Sequence, residues 1–279
     1  MVIRSTIWIP WLLAASAFGA SDGTRITLRQ GFPFIDVNIN GKGPFHMLVD
    51  TGADASLLTP KAAERAGLSF DHRVILSTVA GERIVKGASA NRIEVDGAVE
   101  SGLAILALEL PTVRAIARDA DGVLGQSFLS REAYLLDYEQ KRLWLGDAAT
   151  QQATRLSHAV TATYKKGRTV IPVALDRDGG TWQMALDSGS TNLIVDCSAR
   201  CPRAWGVERD SRLVTHAGER AVLRGNLRQV ALGDSTMPYT EAVLLEGTPP
   251  PGWDEGLLPT RWFSAFYVNA GVMRFETAR

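Results

Sequence analysis

The sequence predicts an all-β chain that contains two similar units. Short stretches in which apolar and polar residues alternate are separated by Gly, Asp and Asn, a pattern typical of half-buried strands joined by turns. One phrase occurs twice, as LVDTGAD at 48–54 and as ALDSGST at 185–191. A second pair of related segments, TVAGER at 78–83 and THAGER at 215–220, has the same separation. Together these patterns indicate an internal duplication of a β-rich unit.

The composition is that of a globular protein. The 279 residues are 46% hydrophobic and 22% charged, which is enough apolar material for one large domain or two small ones. Thirty basic residues balance thirty acidic ones, so the formal net charge is zero. A neutral chain has no general electrostatic attraction for nucleic acid or anionic lipid. We therefore expect neither as a partner.

The first 19 residues have the features of a signal peptide. Arg4 supplies a positive charge, residues 7–18 form an apolar core, and Ala15-Ser16-Ala17 fits a small-x-small cleavage site. An uncleaved anchor is the less favoured alternative, because the apolar stretch is short for a bilayer span. We expect an exported protein, periplasmic or secreted, without stable membrane insertion after cleavage.

Two β-hairpins are predicted at corresponding places in the two units. Residues 34–39 alternate between apolar and polar, and an apolar run follows a turn at 40–43. Residues 170–175 and 182–186 repeat this plan around a turn at 176–180. One short helix is predicted as well, beginning at Thr59–Pro60 and ending near Gly67.

The spacing of the repeated segments predicts the domain limits. Asp50 and Asp187 are 137 residues apart, and the related segments at 78–83 and 215–220 have the same offset. A third pair, DGVLGQSFL from 121 and EGLLPTRWF from 255, is offset by 134. The predicted organisation is a signal peptide at 1–19, a first lobe at 25–147, a polar linker at 148–162 and a second lobe at 163–277.

The repeated phrase is informative because it occurs twice. A single Asp at a strand end, followed by a hydroxyl residue and Gly, is an ordinary turn. If two equivalent units pack about a twofold axis, however, Asp50 and Asp187 face each other. Two carboxylates at close range share a proton instead of both ionising. Such a pair can activate a water for attack on a peptide carbonyl, with no metal and no cofactor required.

At these residues the chain resembles an aspartic protease. Asp50-Thr51-Gly52-Ala53 and Asp187-Ser188-Gly189-Ser190 resemble the two signature motifs, and GVLGQSFL at 122–129 resembles the segment that braces the catalytic turn in the retropepsin-like clan. The 78–83 and 215–220 segments fall where that clan has its flaps. The whole pattern is similar to a tandem, single-chain retropepsin-like enzyme. It implies the acid-protease fold, with two β-barrel lobes related by a pseudo-twofold axis.

The resemblance also implies roles for individual residues, with a peptide or protein as substrate. Thr51 and Ser188 would interlock through their hydroxyls, and Ser190 would hydrogen-bond the Asp187 carboxylate. The implied sets are catalytic Asp50 and Asp187; dyad-supporting Thr51, Gly52, Ala53, Ser188, Gly189 and Ser190; and flap or substrate-binding Ala80, Gly81, Ala217 and Gly218.

Two alternatives to a monomeric protease stay open at this level. Pro259 stands where the first unit has Gly125, so the second bracing segment lacks a backbone N–H. This departure motivates a catalytically weak or inactive peptide-binding protein of the same fold. A homodimer is the other alternative, but a monomer is expected because one chain already supplies both aspartates.

Cys197 and Cys201 are the two cysteines of the chain. In an oxidising compartment, a turn between them would allow a local disulfide. A metal site is the weaker interpretation, because two thiols without a nearby His or carboxylate pair make a poor zinc ligand set.

Overall fold

The structure is a computed structural model that describes residues 22–78, 81–176, 180–215, 218–247 and 255–278. The predicted signal peptide at 1–19 lies outside the described residues. The described chain is mostly β, as predicted. None of its helices is both long and apolar enough to cross a membrane.

The strands of the first half are short and follow one another closely. They are β1 (Thr24–Arg25), β2 (Thr27–Arg29), β3 (Phe32–Ile39), β4 (Lys42–Val49), β5 (Ser56–Leu58), β6 (His72–Thr78), β7 (Gly81–Ala90), β8 (Ile93–Val95), β9 (Ala98–Glu100), β10 (Leu103–Ala107), β11 (Gly122–Leu124), β12 (Tyr134–Asp137) and β13 (Arg142–Leu145).

The second half contains longer strands. They are β14 (His158–Thr161), β15 (Thr163–Lys165), β16 (Arg168–Leu175), β17 (Thr181–Asp187), β18 (Leu193–Asp196), β19 (Trp205–Thr215), β20 (Gly218–Leu232), β21 (Ser235–Leu245), β22 (Gly256–Pro259), β23 (Phe263–Asn269) and β24 (Val272–Thr277). The helices are α1 (Pro60–Arg65), α2 (Pro111–Ile116), α3 (Gln126–Leu129) and α4 (Gly146–Gln152), with 3-10 turns at Ala153–Arg155 and Thr260–Trp262.

Both predicted hairpins are present. Strands β3 and β4 pair antiparallel around a turn at Asn40 and Gly41, whose positive φ angles suit a tight connection. The turn is two residues shorter than predicted, because the second strand already begins at Lys42. Strands β16 and β17 pair in the same way. Helix α1 begins at Pro60 with Thr59 as its N-cap, and Gly67 follows its end with a φ of 71°.

Three sheets organise the chain. A ten-stranded sheet contains β2 to β11 and an eight-stranded sheet contains β15 to β22. A six-stranded sheet has the order β1-β13-β12-β23-β24-β14 and therefore joins strands from both halves. The predicted linker at 148–162 is itself ordered: it contains most of α4 and strand β14, which pairs with β24.

The core runs through both halves of the chain. The largest cluster of buried apolar side chains includes Phe45 and Met47 from the first half, and Trp182, Met184 and Phe266 from the second. Burial of such large side chains contributes about 1.5–3 kcal/mol each to folding. The ends of β4 and β17, where the two aspartates lie, are therefore attached to one continuous apolar support.

Candidate active site

Each aspartate lies at the end of a central strand that a later segment braces. Strand β4 ends one residue before Asp50, and β17 ends at Asp187. Strand β11 runs parallel to β4 and strand β22 runs parallel to β17, so each aspartate-bearing strand has the same kind of neighbour. The Asp50 backbone N–H donates to the carbonyl of Leu124 at 3.0 Å.

The two aspartate turns are joined by four reciprocal hydrogen bonds. The Thr51 hydroxyl donates to the carbonyl of Leu186 (3.0 Å) and accepts from the backbone N–H of Ser188 (3.0 Å). The Ser188 hydroxyl donates to the carbonyl of Val49 (2.7 Å) and accepts from the backbone N–H of Thr51 (2.9 Å). Thr51 and Ser188 are fully buried or nearly so, which makes these bonds costly to leave unmade. The interlock predicted from the sequence is present.

The glycines of the two turns make room for the opposite carboxylate. A Cβ atom on Gly52 would lie 2.5 Å from Cγ of Asp187, and one on Gly189 would lie 2.5 Å from Oδ2 of Asp50. Neither distance is compatible with a real side chain. Glycine is therefore required at both positions by the close approach of the two turns.

The carboxyl groups are held by backbone donors and by each other. Oδ1 of Asp50 accepts from the N–H groups of Gly52 (2.9 Å) and Ala53 (3.2 Å), and Oδ1 of Asp187 accepts from the N–H of Gly189 (2.8 Å). The Asp187 carboxyl also lies within hydrogen-bonding reach of Asp50. Burial, and then the neighbouring Asp50, raise the pKa of Asp187 well above its ordinary value.

The two aspartates lie in a cleft of about 580 Å³. Its walls combine apolar and polar side chains from both halves. The lining includes Phe32, Leu48, Leu57, Leu76, Val113, Ile116, Ile194, Leu213, Val214 and Leu257, together with the polar residues Asp54, Ser77, Thr78, Lys166, Arg168, Ser190, Thr191, Asn192 and Thr215. A cleft of this size, with apolar walls and several polar groups, is typical of a ligand-binding site.

Two long hairpins reach this cleft. Strands β6 and β7 form one, strands β19 and β20 the other, and the hydroxyls of Thr78 and Thr215 at their ends are 3.2 Å apart. Gly81 and Gly218 have φ angles of 134° and 144°, a region that favours glycine. Ala80 and Ala217, the other two residues predicted for the hairpin ends, lie outside the described residues.

A second layer of support was missed by the sequence interpretation. The buried Gln126 amide donates to the Thr51 carbonyl (3.1 Å) and to the Tyr134 hydroxyl (3.1 Å). Burial raises the pKa of Tyr134 to about 12, so its hydroxyl stays neutral. In the second half the Thr260 hydroxyl lies 2.6 Å from that of Tyr138. The sequence contains only a weak indication of this second layer, namely that Gln126 and Thr260 directly follow Gly125 and Pro259 in the bracing segments.

One expectation about the dyad was wrong. The Ser190 hydroxyl donates to the Asn192 carbonyl (3.0 Å) and accepts from the Asn192 backbone N–H (3.2 Å), instead of binding the Asp187 carboxylate. A hydroxyl has a single proton to donate, and this local turn uses it.

Although Pro259 has no backbone N–H, the second bracing segment keeps its strand pairing. It still pairs with Asp187 in the parallel register of β17 and β22. The difference follows directly after it, where a 3-10 turn at Thr260–Trp262 stands in place of helix α3.

The predicted disulfide is present: Cys197 and Cys201 are bonded, with Cα atoms 4.5 Å apart. Within the described ranges, no group of three or more His, Cys, Asp or Glu side chains is arranged to hold a metal ion.

One segment of the chain is similar to a known protein family. Residues 35–128, about a third of the chain, match a family model described as aspartyl protease. No curated protein matches the chain. Among solved structures, a retropepsin-like aspartic protease from Rickettsia conorii is similar, with 18% identity and a TM-score of 0.31, over 43% of this chain and 86% of that one.

The family match covers the segment that contains Asp50, β11 and the start of the bracing helix. It confirms the resemblance to aspartic proteases that the motifs predict, and it supports a hydrolase of the aspartic protease type. The assignment of roles to single residues depends on the geometry described above.

Proposed function

We propose that this chain is an exported aspartic endopeptidase in which Asp50 and Asp187 together activate a water molecule. The observation that carries the proposal is the mutual fit of the two turns. The glycine of each turn lies against the carboxylate of the other, and the hydroxyls of Thr51 and Ser188 lock the turns together. Both carboxylates line the same cleft of about 580 Å³, which supports a shared role.

The unequal environments of the carboxylates suggest their roles. Asp187 is 7% exposed and its pKa is raised, so we assign the shared proton to it. Asp50, which accepts two backbone N–H groups on Oδ1, acts as the base. It takes a proton from water as the water oxygen bonds to the peptide carbonyl carbon. Asp187 donates its proton to the carbonyl oxygen, giving a neutral tetrahedral diol.

Collapse of this intermediate completes the reaction. The proton on Asp50 passes to the amide nitrogen, the carbon–nitrogen bond breaks, and the amine leaves. A hydroxyl proton of the diol returns to Asp187, so the product is a carboxylic acid and the dyad again holds one proton. The hairpins ending near Thr78 and Thr215 serve as flaps over the bound peptide.

Export and a monomeric state are part of the same proposal. The predicted signal peptide and the disulfide between Cys197 and Cys201 both suit an oxidising compartment. Two β-barrel lobes related by a pseudo-twofold axis would supply one aspartate each, so that one chain suffices. A sizing column with activity confined to a dimer peak would contradict the monomer.

The test uses the mature chain, residues 20–279, with a diverse peptide mixture and mass spectrometry. Wild type is expected to cleave, whereas Asp50→Asn and Asp187→Asn should each lose at least about 10²- to 10⁴-fold in rate, the usual contribution of a general acid or base. Asp119→Asn, on an exposed side chain outside the cleft, is the matched control and should retain activity. A wild-type chain that binds peptides but leaves all of them intact would instead support the inactive peptide-binding alternative.

A further inference from the structure

The lining of the cleft contains two cationic side chains that the proposed chemistry does not use. Lys166 and Arg168 line the cleft on either side of Gly167: Lys166 lies in the turn after β15, and Arg168 is the first residue of β16. Lys166 is exposed, whereas Arg168 is only 8% exposed. The next residue, Thr169, lies away from the cleft, where it lines a separate pocket together with Tyr134. Because successive strand residues point to opposite faces, Arg168 is directed the other way, into the cleft.

The corresponding position in the first half has no charge. In the hairpin register, Phe32 pairs with Arg29 just as Arg168 pairs with Lys165. In the first hairpin, the residue two positions after Phe32 pairs with the residue two positions before Asp50. In the second hairpin, the residue two positions after Arg168 likewise pairs with the residue two positions before Asp187. Phe32 and Arg168 are therefore equivalent, and both line the cleft. The cleft is apolar at one of these positions and cationic at the other.

Arg168 interacts electrostatically with the proposed catalytic dyad. Its guanidinium acts electrostatically on Asp187, opposing the larger effect of burial on that carboxyl. Arg168 also has contacts within the protein. A guanidinium carries five N–H donors in a planar fork, so it can keep such a contact and still offer donors to a ligand.

Besides Asp50 and Asp187, the described lining of the cleft contains one acidic residue, Asp54. Asp54 is exposed, and a Cβ atom on Gly167 would lie 2.8 Å from its Cβ atom. It shares the solvent-exposed mouth with Lys166, where water and salt screen charges strongly. Arg168 is buried, so its charge is screened much less and dominates the interaction with a group that enters the cleft.

From this arrangement we propose that the part of the cleft lined by Lys166 and Arg168 binds a carboxylate of the substrate. Arg168 forms paired hydrogen bonds to it and Lys166 adds a second positive charge. The substrate then carries an acidic side chain, or its own C-terminal carboxylate, at a fixed distance from the bond that is cleaved. This inference rests on the proposed peptidase function and specifies its substrate class.

The test measures binding, so that it does not depend on catalysis. A position-scanning peptide library is applied to the immobilised Asp50→Asn chain. Asp and Glu are expected to be enriched over Asn and Gln at a single position, and Arg168→Gln should reduce that preference about 10- to 100-fold, as expected for the loss of a hydrogen bond to a charged group. Arg274→Gln, which changes an exposed side chain of β24 outside the cleft, is the matched control and should leave the preference unchanged.

Further variants test the same inference in case Arg168→Gln does not fold. Lys166→Gln alters an exposed side chain and should weaken the preference several-fold, and Arg168→Lys should retain part of it because charge is kept without the fork. Asp54→Asn should strengthen it. Phe32→Arg should create a second acidic preference on the other side of the cleaved bond.

The library is used with free and with amidated C-termini. Enrichment that survives amidation identifies an acidic side chain, and enrichment that requires the free terminus identifies the chain end. Equal binding of acidic and amide peptides, an absence of any enrichment, or a preference untouched by both the Arg168 and Lys166 variants overturns the inference.

Cleavage by wild type decides the peptidase proposal separately: cleavage without acidic preference overturns only this inference, and acidic binding without cleavage overturns only the peptidase.

Discussion

The two aspartate turns have nearly the same sequence and the same hydrogen bonds but different surroundings. In each turn the glycine N–H donates to its own aspartate, and the hydroxyl residue bonds the opposite strand. Yet Asp187 is almost fully buried, whereas Asp50 is half-buried. The comparison shows that a four-residue motif fixes the local geometry of a carboxylate, whereas its protonation depends on what the rest of the chain packs around it.

The segments behind the turns differ more than the turns themselves. The Gly125 N–H donates to the Ser56 hydroxyl (3.1 Å), and helix α3 follows. Pro259 has no such donor and is followed by a 3-10 turn. Both segments nevertheless form a parallel strand beside an aspartate. The support therefore tolerates a change in hydrogen bonding as long as the strand pairing is kept.

The largest expected effect comes from exchanging these two residues. Gly125→Pro removes the N–H that binds Ser56 and adds atoms where a Cβ would already be 2.4 Å from the Ala55 carbonyl, so we expect a loss of about 3–5 kcal/mol in unfolding free energy. Pro259→Gly should cost less, about 1–2 kcal/mol, because it breaks no hydrogen bond and meets no backbone clash; the loss comes from the buried ring and from the freer unfolded chain. Urea unfolding measures both, and similar costs would contradict the asymmetry of the two segments.

A smaller effect is expected at the interlock, where the two halves should behave alike. Thr51→Val leaves the Ser188 N–H and the Leu186 carbonyl without their partner, and Ser188→Ala does the same to the Thr51 N–H and the Val49 carbonyl. Each variant should lose about 2–4 kcal/mol by chemical denaturation. Thr51→Ser and Ser188→Thr keep a hydroxyl and serve as controls. A large difference between the two deletions would show that the turns are not equivalent.

Alanine substitutions of the two dyad glycines also test whether the two turns are equivalent, with catalytic activity as the measurement. Gly52→Ala and Gly189→Ala each insert a Cβ about 2.5 Å from the opposite carboxylate. Displacing that carboxylate by about 1 Å should lower kcat/KM about 100-fold while the protein stays folded. Gly97→Ala is the control: its φ of 86° disfavours alanine, but it lies in an exposed turn outside the cleft, so it should lower stability and leave kcat/KM unchanged. Full activity in either dyad-glycine variant would rule out the close approach of the two turns.

The smallest expected effect is a pH dependence of the unfolding free energy that distinguishes Asp187 from Asp50. Because the folded pKa of Asp187 is raised, the folded chain holds its proton more tightly than the unfolded chain does. The stabilisation is complete below the ordinary range of an Asp pKa and is lost as pH rises through the raised value. Asp187→Asn should therefore gain stability over wild type as pH increases from 4 to 8.

Thermal unfolding followed across that range gives the comparison, with Asp119→Asn as a control that shows no such trend. A stability difference between Asp187→Asn and wild type that stays flat, or that shrinks toward pH 8, would contradict the assignment of the shared proton to Asp187.

Much of the local structure could be predicted because its signals lie close together in the sequence. Turn residues flanked by alternating strands defined both hairpins, and Thr59–Pro60 defined the start of α1. The partner of Ser190 could not be predicted in this way. Its hydroxyl could reach either a neighbouring backbone group or Asp187, and the sequence contains no information about which is nearer.

By itself, the sequence determined which side chains form the candidate site. The repeated Asp-hydroxyl-Gly phrase and its constant spacing select Asp50, Thr51, Asp187 and Ser188, since turn chemistry and strand alternation are local properties. Only the tertiary structure decided the unequal burial of the aspartates, the sheet shared by both ends of the chain, and the position of Arg168 in the cleft. These depend on which distant segments meet, and the dielectric environment of a charge follows from that packing.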